Sequence, residues 1–186
     1  DFEARSARTV PAALSGKIAA LGKHLDGVRL LRALRETSGT SYDRMLCLVF
    51  EARALALAGD ADDVTAVMEE AGSLAEFLGI DWVEGRVAWT NVLVTANAGS
   101  APPMRTALAR AESSLGQLAD DVGGVLFLCE AADAGAAVGL DADAARLLAA
   151  AVARRDEDPV TVAFTEAGIA ARRAQPGAGE ELARLL

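Results

Sequence analysis

Side chains that most often do chemistry are scarce in this chain of 186 residues, which holds one histidine, His24, and two cysteines, Cys47 and Cys129. A single histidine rules out every two-histidine metal motif, HExxH included, and leaves a Ser-His-Asp triad without patterned partners. His24 stands between Lys23 and Leu25 at a helix edge, a surface or capping position. Cys47 lies within Met45-Leu46-Cys47-Leu48-Val49 and Cys129 closes Leu126-Phe127-Leu128-Cys129. Neither run offers a histidine or lysine to stabilise a thiolate, so both cysteines read as buried free thiols. No GxxxxGK[ST] and no strand-borne GxGxxG occurs. Gly135 and Gly139 have GxxxG spacing, which here serves tight helix packing and helix termination. Asp60, Asp62 and Asp63 lack the glycine and the terminal glutamate of a calcium loop and instead suit the first turn of a helix, where carboxylates offset the macrodipole. Asp156-Glu157-Asp158-Pro159 reads as a solvated turn between helices. These residues give no catalytic group, no metal site and no cofactor.

The elements that would position any site follow from composition and period. Hydrophobic residues make up 52% of the chain, charged residues 24% and aromatics 4%, and alanine is the commonest residue. That composition excludes a disordered tail and points to an all-α domain with closely approaching helices. Eighteen basic against 27 acidic residues leave a net charge of −9. Such a surface repels phosphate backbones and anionic lipid, which excludes direct nucleic-acid and membrane binding as first readings. Two cysteines form no disulfide framework, which points to the cytoplasm. The opening Asp1-Phe2-Glu3 shows neither an initiator methionine nor a signal pattern, so the chain reads as an excerpt of something longer. Val87 to Met104 carries no charge, but Asn91, Asn97, Gly99, Ser100, Pro102 and Pro103 interrupt it, so it reads as a buried helix followed by a turn.

Glycine sets the organisation. Gly59, Gly99 and Gly139 recur every 40 residues, with Gly177 following 38 later and Gly22 preceding Gly59 by 37. At fixed offsets behind them stand Val64, Val67 and Met68, then Met104, Ala107 and Leu108, then Ala144, Leu147 and Leu148, and finally Leu182, Leu185 and Leu186. This is the i, i+3, i+4 stripe of an amphipathic helix, with Ala71, Ala111 and Ala151 three positions further on. After Gly22 the match is looser and Leu30, Leu31 and Leu34 carry the stripe. The segments before the glycines, 44–58, 82–98, 122–138 and 160–174, are apolar nearly all round and read as inner helices. Asp60, Ser100 and Asp141 are placed to cap the outer helices, and Ser41, Asp81 and Asp121 to begin the inner ones. Residues 1–21 form an N-terminal segment, loosely structured over 1–9, with a first helix, and residues 22–186 a helical-repeat domain with breaks near Gly59, Gly99, Gly139 and Gly177.

Helix pairs with small residues at their contacts, Ala52, Val92 and Ala132 in one inner column and Ala71, Ala111 and Ala151 in one outer column, resemble a tetratricopeptide-type array. The resemblance implies a right-handed α-solenoid of antiparallel helix pairs, about 8–10 helices in this length. The period is nearer 40 than the family's 34 and the repeat-ending proline is missing. Long degenerate repeats of this kind are similar to the sensor segments of large bacterial transcriptional activators, in which a LuxR-type helix-turn-helix follows the array. The resemblance implies binding and scaffolding in transcription regulation and carries over no catalytic residue.

Polar groups on the inner helices are the candidate binding residues, because burying them is unfavourable unless they are paired. In repeat register Glu51 and Asn91 share a column, Glu130 shares the next with Thr90, and Arg53 a third with Asp133, with Arg86 and Trp89 nearby. Two readings stand. Glu51, Arg53, Arg86, Trp89, Asn91 and Glu130 line a concave groove that takes a protein or peptide segment, which can be a domain of the same polypeptide, or they form charge pairs tying neighbouring helices together. A small-molecule effector enclosed by Trp82, Trp89, Asn91 and Phe127 is the alternative function, and an all-α enzyme working through carboxylates alone a more remote one.

Overall fold

Few of the residues from Ser41 to Ala58 could face water without exposing apolar surface, and the helix they form is enclosed along most of its length. The computed structural model describes residues 23–114 and 123–174. Among these the chain is all-α, with no strand. The helices are α1 (His24–Glu36), α2 (Ser41–Ala58), α3 (Ala61–Leu78), α4 (Trp82–Asn97), α5 (Ala101–Ser114), α6 (Gly123–Ala137), α7 (Asp141–Ala153) and α8 (Pro159–Ala174), with a 3-10 turn over Arg155–Glu157 before α8. None of the described helices is long and apolar enough to cross a membrane. The uncharged run from Val87 to Met104 is two helices, α4 and α5, separated by Gly99 in the left-handed conformation.

Two compact units divide the chain, residues 1–94 and 95–186. In the first, α2 packs against both α1 and α3. Its run from Met45 to Val49 is buried on every side, together with Ala52, Ala54, Leu55 and Ala56. The α1 face turned inward carries Val28 and Leu31, whereas Leu30, expected in the stripe, is exposed. In the second unit α6 packs on α7 and α8. Val125, Phe127, Cys129, Ala131 and Ala132 of α6 meet Ala144, Leu147 and Ala151 of α7 and Val162 and Ile169 of α8 in its core.

The repeat register is visible as burial. Val64, Met104 and Ala144 are all buried, as are the outer column Ala71, Ala111 and Ala151 and the inner column Ala52, Val92 and Ala132. Gly135 faces Ala144 and Met104, but a Cβ there would lie 3.6 Å from the Ala144 Cβ and 3.7 Å from the Met104 Cε, ordinary contact distances that do not require glycine.

Turn chemistry explains the boundaries. The Thr40 hydroxyl caps α2, accepting from the Asp43 amide at 3.1 Å and donating to its carboxylate at 2.7 Å. Gly59 ends that helix at φ 80, where the Gly59 amide donates to the Ala56 carbonyl and the Asp60 amide to the Leu55 carbonyl, each at 3.1 Å. Asp60 then caps α3 through the Asp63 amide at 3.4 Å. Gly139 closes α6 in the same way, with the Leu140 amide reaching the Gly135 carbonyl at 2.8 Å. Here the expected cap is displaced: Leu140 occupies the N-cap position without a side-chain bond, and Asp141 is the first helical residue, acting on the dipole instead. Asp158 caps α8 through the Thr161 amide at 3.1 Å, with Pro159 in the first helical position. A fourth left-handed glycine, Gly79, ends α3 and falls outside the 40-residue series. Gly22, Gly177, Asp121 and the leucines of 182–186 lie outside the described residues, as do residues 1–22.

Left-handed backbone at Gly59 and Gly139 disfavours any Cβ by roughly 1–2 kcal/mol although space is open around both. Gly59→Ala and Gly139→Ala are each expected to lower stability by about that amount in urea melts, with the denaturant slope unchanged.

Candidate functional site

The polar residues of the inner helices form a network before they form a surface. Glu51 sits in the middle of α2 with none of its side chain exposed. Arg32 of α1 donates through Nε to Glu51 Oε1 at 2.6 Å and through Nη2 to Asp63 Oδ2 of α3 at 2.7 Å. Arg35 Nη1, one turn along α1, lies 3.4 Å from Glu51 Oε2 and 3.5 Å from Glu70 Oε2 of α3. Arg44 of α2 donates through Nε to Glu70 Oε1 at 2.9 Å. Three helices are thereby held by one buried carboxylate and the arginines around it. The hydrogen bonds that the Arg32 guanidinium donates to Glu51 and Asp63 hold it charged more firmly than in water.

A second cluster joins α2 to α4. Trp89 is 2% exposed, and the Arg53 and Arg86 guanidiniums lie over its ring at 5.4 and 4.9 Å from the centroid. Arg53 is itself buried and Arg86 half-buried. A desolvated cation over an indole face contributes about 2 kcal/mol. Asn91 is half-buried on α4 and has partners within the fold. Glu130, half-buried on α6, belongs to the second unit and likewise has a partner there or elsewhere in the chain. The structure therefore brings Glu51, Arg53, Arg86, Trp89 and Asn91 into one unit, with Glu51, Arg53 and Trp89 inside it. Of the residues suggested for a small-molecule pocket, Trp82 is half-buried in the first unit and Phe127 buried in the second.

An open concavity of the first unit is formed by other described residues. A groove of about 430 Å3 runs between α3 and α4. Its floor is apolar, from Met68 and Ala75 of α3, Ile80 of the turn, and Val83 and Val87 of α4. Its rim carries four carboxylates, Glu69, Glu76, Asp81 and Glu84, and among the described residues no basic side chain lines it. Glu84 has an interaction within the fold, whereas Glu69, Glu76 and Asp81 form no ion pair with any described residue. Between Glu69 and Glu76 on the same face of α3 stands Gly72. It has ordinary helical backbone, and a Cβ built there would meet nothing within 4 Å. Glycine inside a helix is about 0.5–1 kcal/mol worse than alanine, and nothing in the fold requires it at this position.

The sequence signal for this groove is present but diluted. Met68 falls in the core stripe by its spacing yet is only half-buried, and Glu69 has the look of ordinary outer-face charge. The glycine at 72 breaks no period and matches no motif, so only its surroundings reveal it.

Chemical groups are sparse throughout. Among the described residues no group of three or more His, Cys, Asp or Glu side chains could hold a metal ion. His24 is the first residue of α1 and half-buried. Burial pushes the Cys47 thiol up from its ordinary pKa, with a smaller opposing effect from the Ser38 hydrogen bond, and burial pushes Cys129 up likewise against a hydrogen bond from Thr165. No family model matches the chain, and no curated protein or solved structure matches it either.

Two outcomes follow from this arrangement. Neither Cys47 nor Cys129 should react with a thiol-exchange reagent in the folded protein, and both should titrate together once it is unfolded in denaturant. Trp89→Ala should lower stability by about 3–5 kcal/mol and Glu51→Gln by about 1–3 kcal/mol in equilibrium melts. Melts within about 0.5 kcal/mol of the parent would show that neither residue holds the helices together.

Proposed function

We propose that this chain is a non-catalytic helical-repeat interaction module, a tetratricopeptide-like array whose helix pairs stack as a solenoid, and that it docks a protein segment within a larger cytoplasmic regulatory protein of bacterial type. The observation that carries this reading is the groove between α3 and α4, an apolar trough that the described residues leave open, in a unit whose buried Glu51 and Arg53 are engaged within the fold. Its volume of about 430 Å3 falls within the range of small-molecule sites, but its open side leaves a compact ligand largely exposed, whereas a polypeptide segment covers floor and rim together. Repeat architectures commonly bind along such inter-helix surfaces, and the repeat register described above supports one here. The net charge of −9 favours a basic partner over nucleic acid.

A photo-crosslinking amino acid at Val87, in the groove, and another at Phe77, which is 79% exposed on a different face of α3, test the proposal in the full-length polypeptide. Irradiation in cells followed by peptide mapping should give one recurrent polypeptide segment from position 87 and none in common from position 77. Equal and diffuse products from both positions would refute the docking role.

A further inference from the structure

Gly72 is a residue of the first unit for which the described part of the fold supplies no reason. It adopts no left-handed backbone and avoids no neighbour, and its lack of a Cβ weakens α3. What it does provide is a smooth helical backbone at the middle of the groove wall, flanked one turn away on each side by Glu69 and Glu76. Close approach of another backbone is the remaining use for such a position.

We infer that the groove takes a basic amphipathic α-helix, which lies along α3 with its small apolar face against Gly72 and its lysines or arginines opposite Glu69, Glu76 and Asp81. This rests on the docking role proposed above and names its partner. The walls are helices, whose backbone groups are already bonded, so an extended strand would find no edge to pair with, whereas a helix brings its own hydrogen bonds satisfied. The lined stretch of α3, from Thr65 to Glu76, spans roughly 16 Å, about three helical turns. Without a side chain at 72, two helix axes can come to about 8 Å, the close end of the usual range. Charge complementarity selects the sign of the partner, because the groove has carboxylates on its rim and no cation among the described residues.

The probe is a synthetic helix of about 18 residues with an alanine and leucine stripe flanked by lysines, paired with a control in which glutamine replaces every lysine. Titration against the full chain by fluorescence anisotropy should show the lysine peptide binding at least about tenfold more tightly than the control at low salt, and losing that advantage as salt rises. Gly72→Leu should weaken the lysine peptide by about tenfold or more while melting at or above the parent temperature, with Gly72→Ala intermediate. The double variant Glu69→Gln, Glu76→Gln should bring the two peptides close together in affinity. No binding of the lysine peptide, equal binding of both peptides, or unchanged affinity in Gly72→Leu would overturn the inference. A cross-linked segment at Val87 that proves acidic or extended would remove the basic helix while leaving the docking module in place, and diffuse crosslinking would remove both.

Discussion

A helix that is apolar on nearly every side must be enclosed, and α2 imposes that requirement on the first unit. Its five consecutive buried residues from Met45 to Val49 leave no face for solvent, so α1 and α3 cover it on two sides and Trp89 of α4 packs against its Arg53. Within this enclosure Glu51 is a carboxylate without access to water, where an unpaired charge would be prohibitive. Arg32 and Arg35, spaced almost one turn apart on α1, meet that need and at the same time reach Asp63 and Glu70 on α3. Because the arginines themselves keep partial contact with water, the arrangement avoids burying two ions and fixes the registry of three helices.

How much of this is legible in the sequence differs by level. Left-handed glycines at 59, 99 and 139 and the stripes behind them can be read directly, since a glycine that stops one helix and an apolar stripe at a fixed offset behind it together demand a second helix there. The columns at Ala52, Val92 and Ala132 and at Ala71, Ala111 and Ala151 are buried together for the same reason. Where sequence and structure part, local chemistry is ambiguous. Leu140 precedes α7 at the position expected for an Asp141 cap, because one residue of shift changes a cap into a first-turn acid and both are favourable. Gly79 ends α3 as an ordinary helix stop, but it marks the turn within the period rather than between periods.

The polar residues of the inner helices show the limit most clearly. Glu51, Arg53 and Trp89 stand out by type and column, and the sequence admits either a groove or a set of ties. Deciding between them requires the partners, and the partners of Glu51 come from α1, the helix where the repeat pattern is weakest. Arginines at 32 and 35 on a short helix are unremarkable as a string and become specific only once α1 lies against α2. The same holds for the groove: Val87 of α4 and Met68 of α3 each look like core until the gap between the two helices is known, whereas Val83 beside them is core.

The two features of the first unit, the buried polar clusters and the groove, have opposite thermodynamic character. At Glu51 and Trp89 burial is offset locally by the ion pairs to Arg32 and Arg35 and by two guanidiniums over the indole ring. At the groove no ion pair of this kind engages Glu69, Glu76 or Asp81 among the described residues. Carboxylates at 69, 76 and 81 rim an apolar floor with no cation among the described lining residues, and a helix interior carries glycine where alanine would be more favourable. Each choice raises the free energy of the isolated unit slightly, and the proposed basic helix would relieve each of them, by neutralising the rim, covering the floor and packing against the bare backbone. One ligand class removing three separate local penalties is a stronger constraint than any of the three alone, because cations alone would not use the glycine and an apolar segment alone would not need the acids.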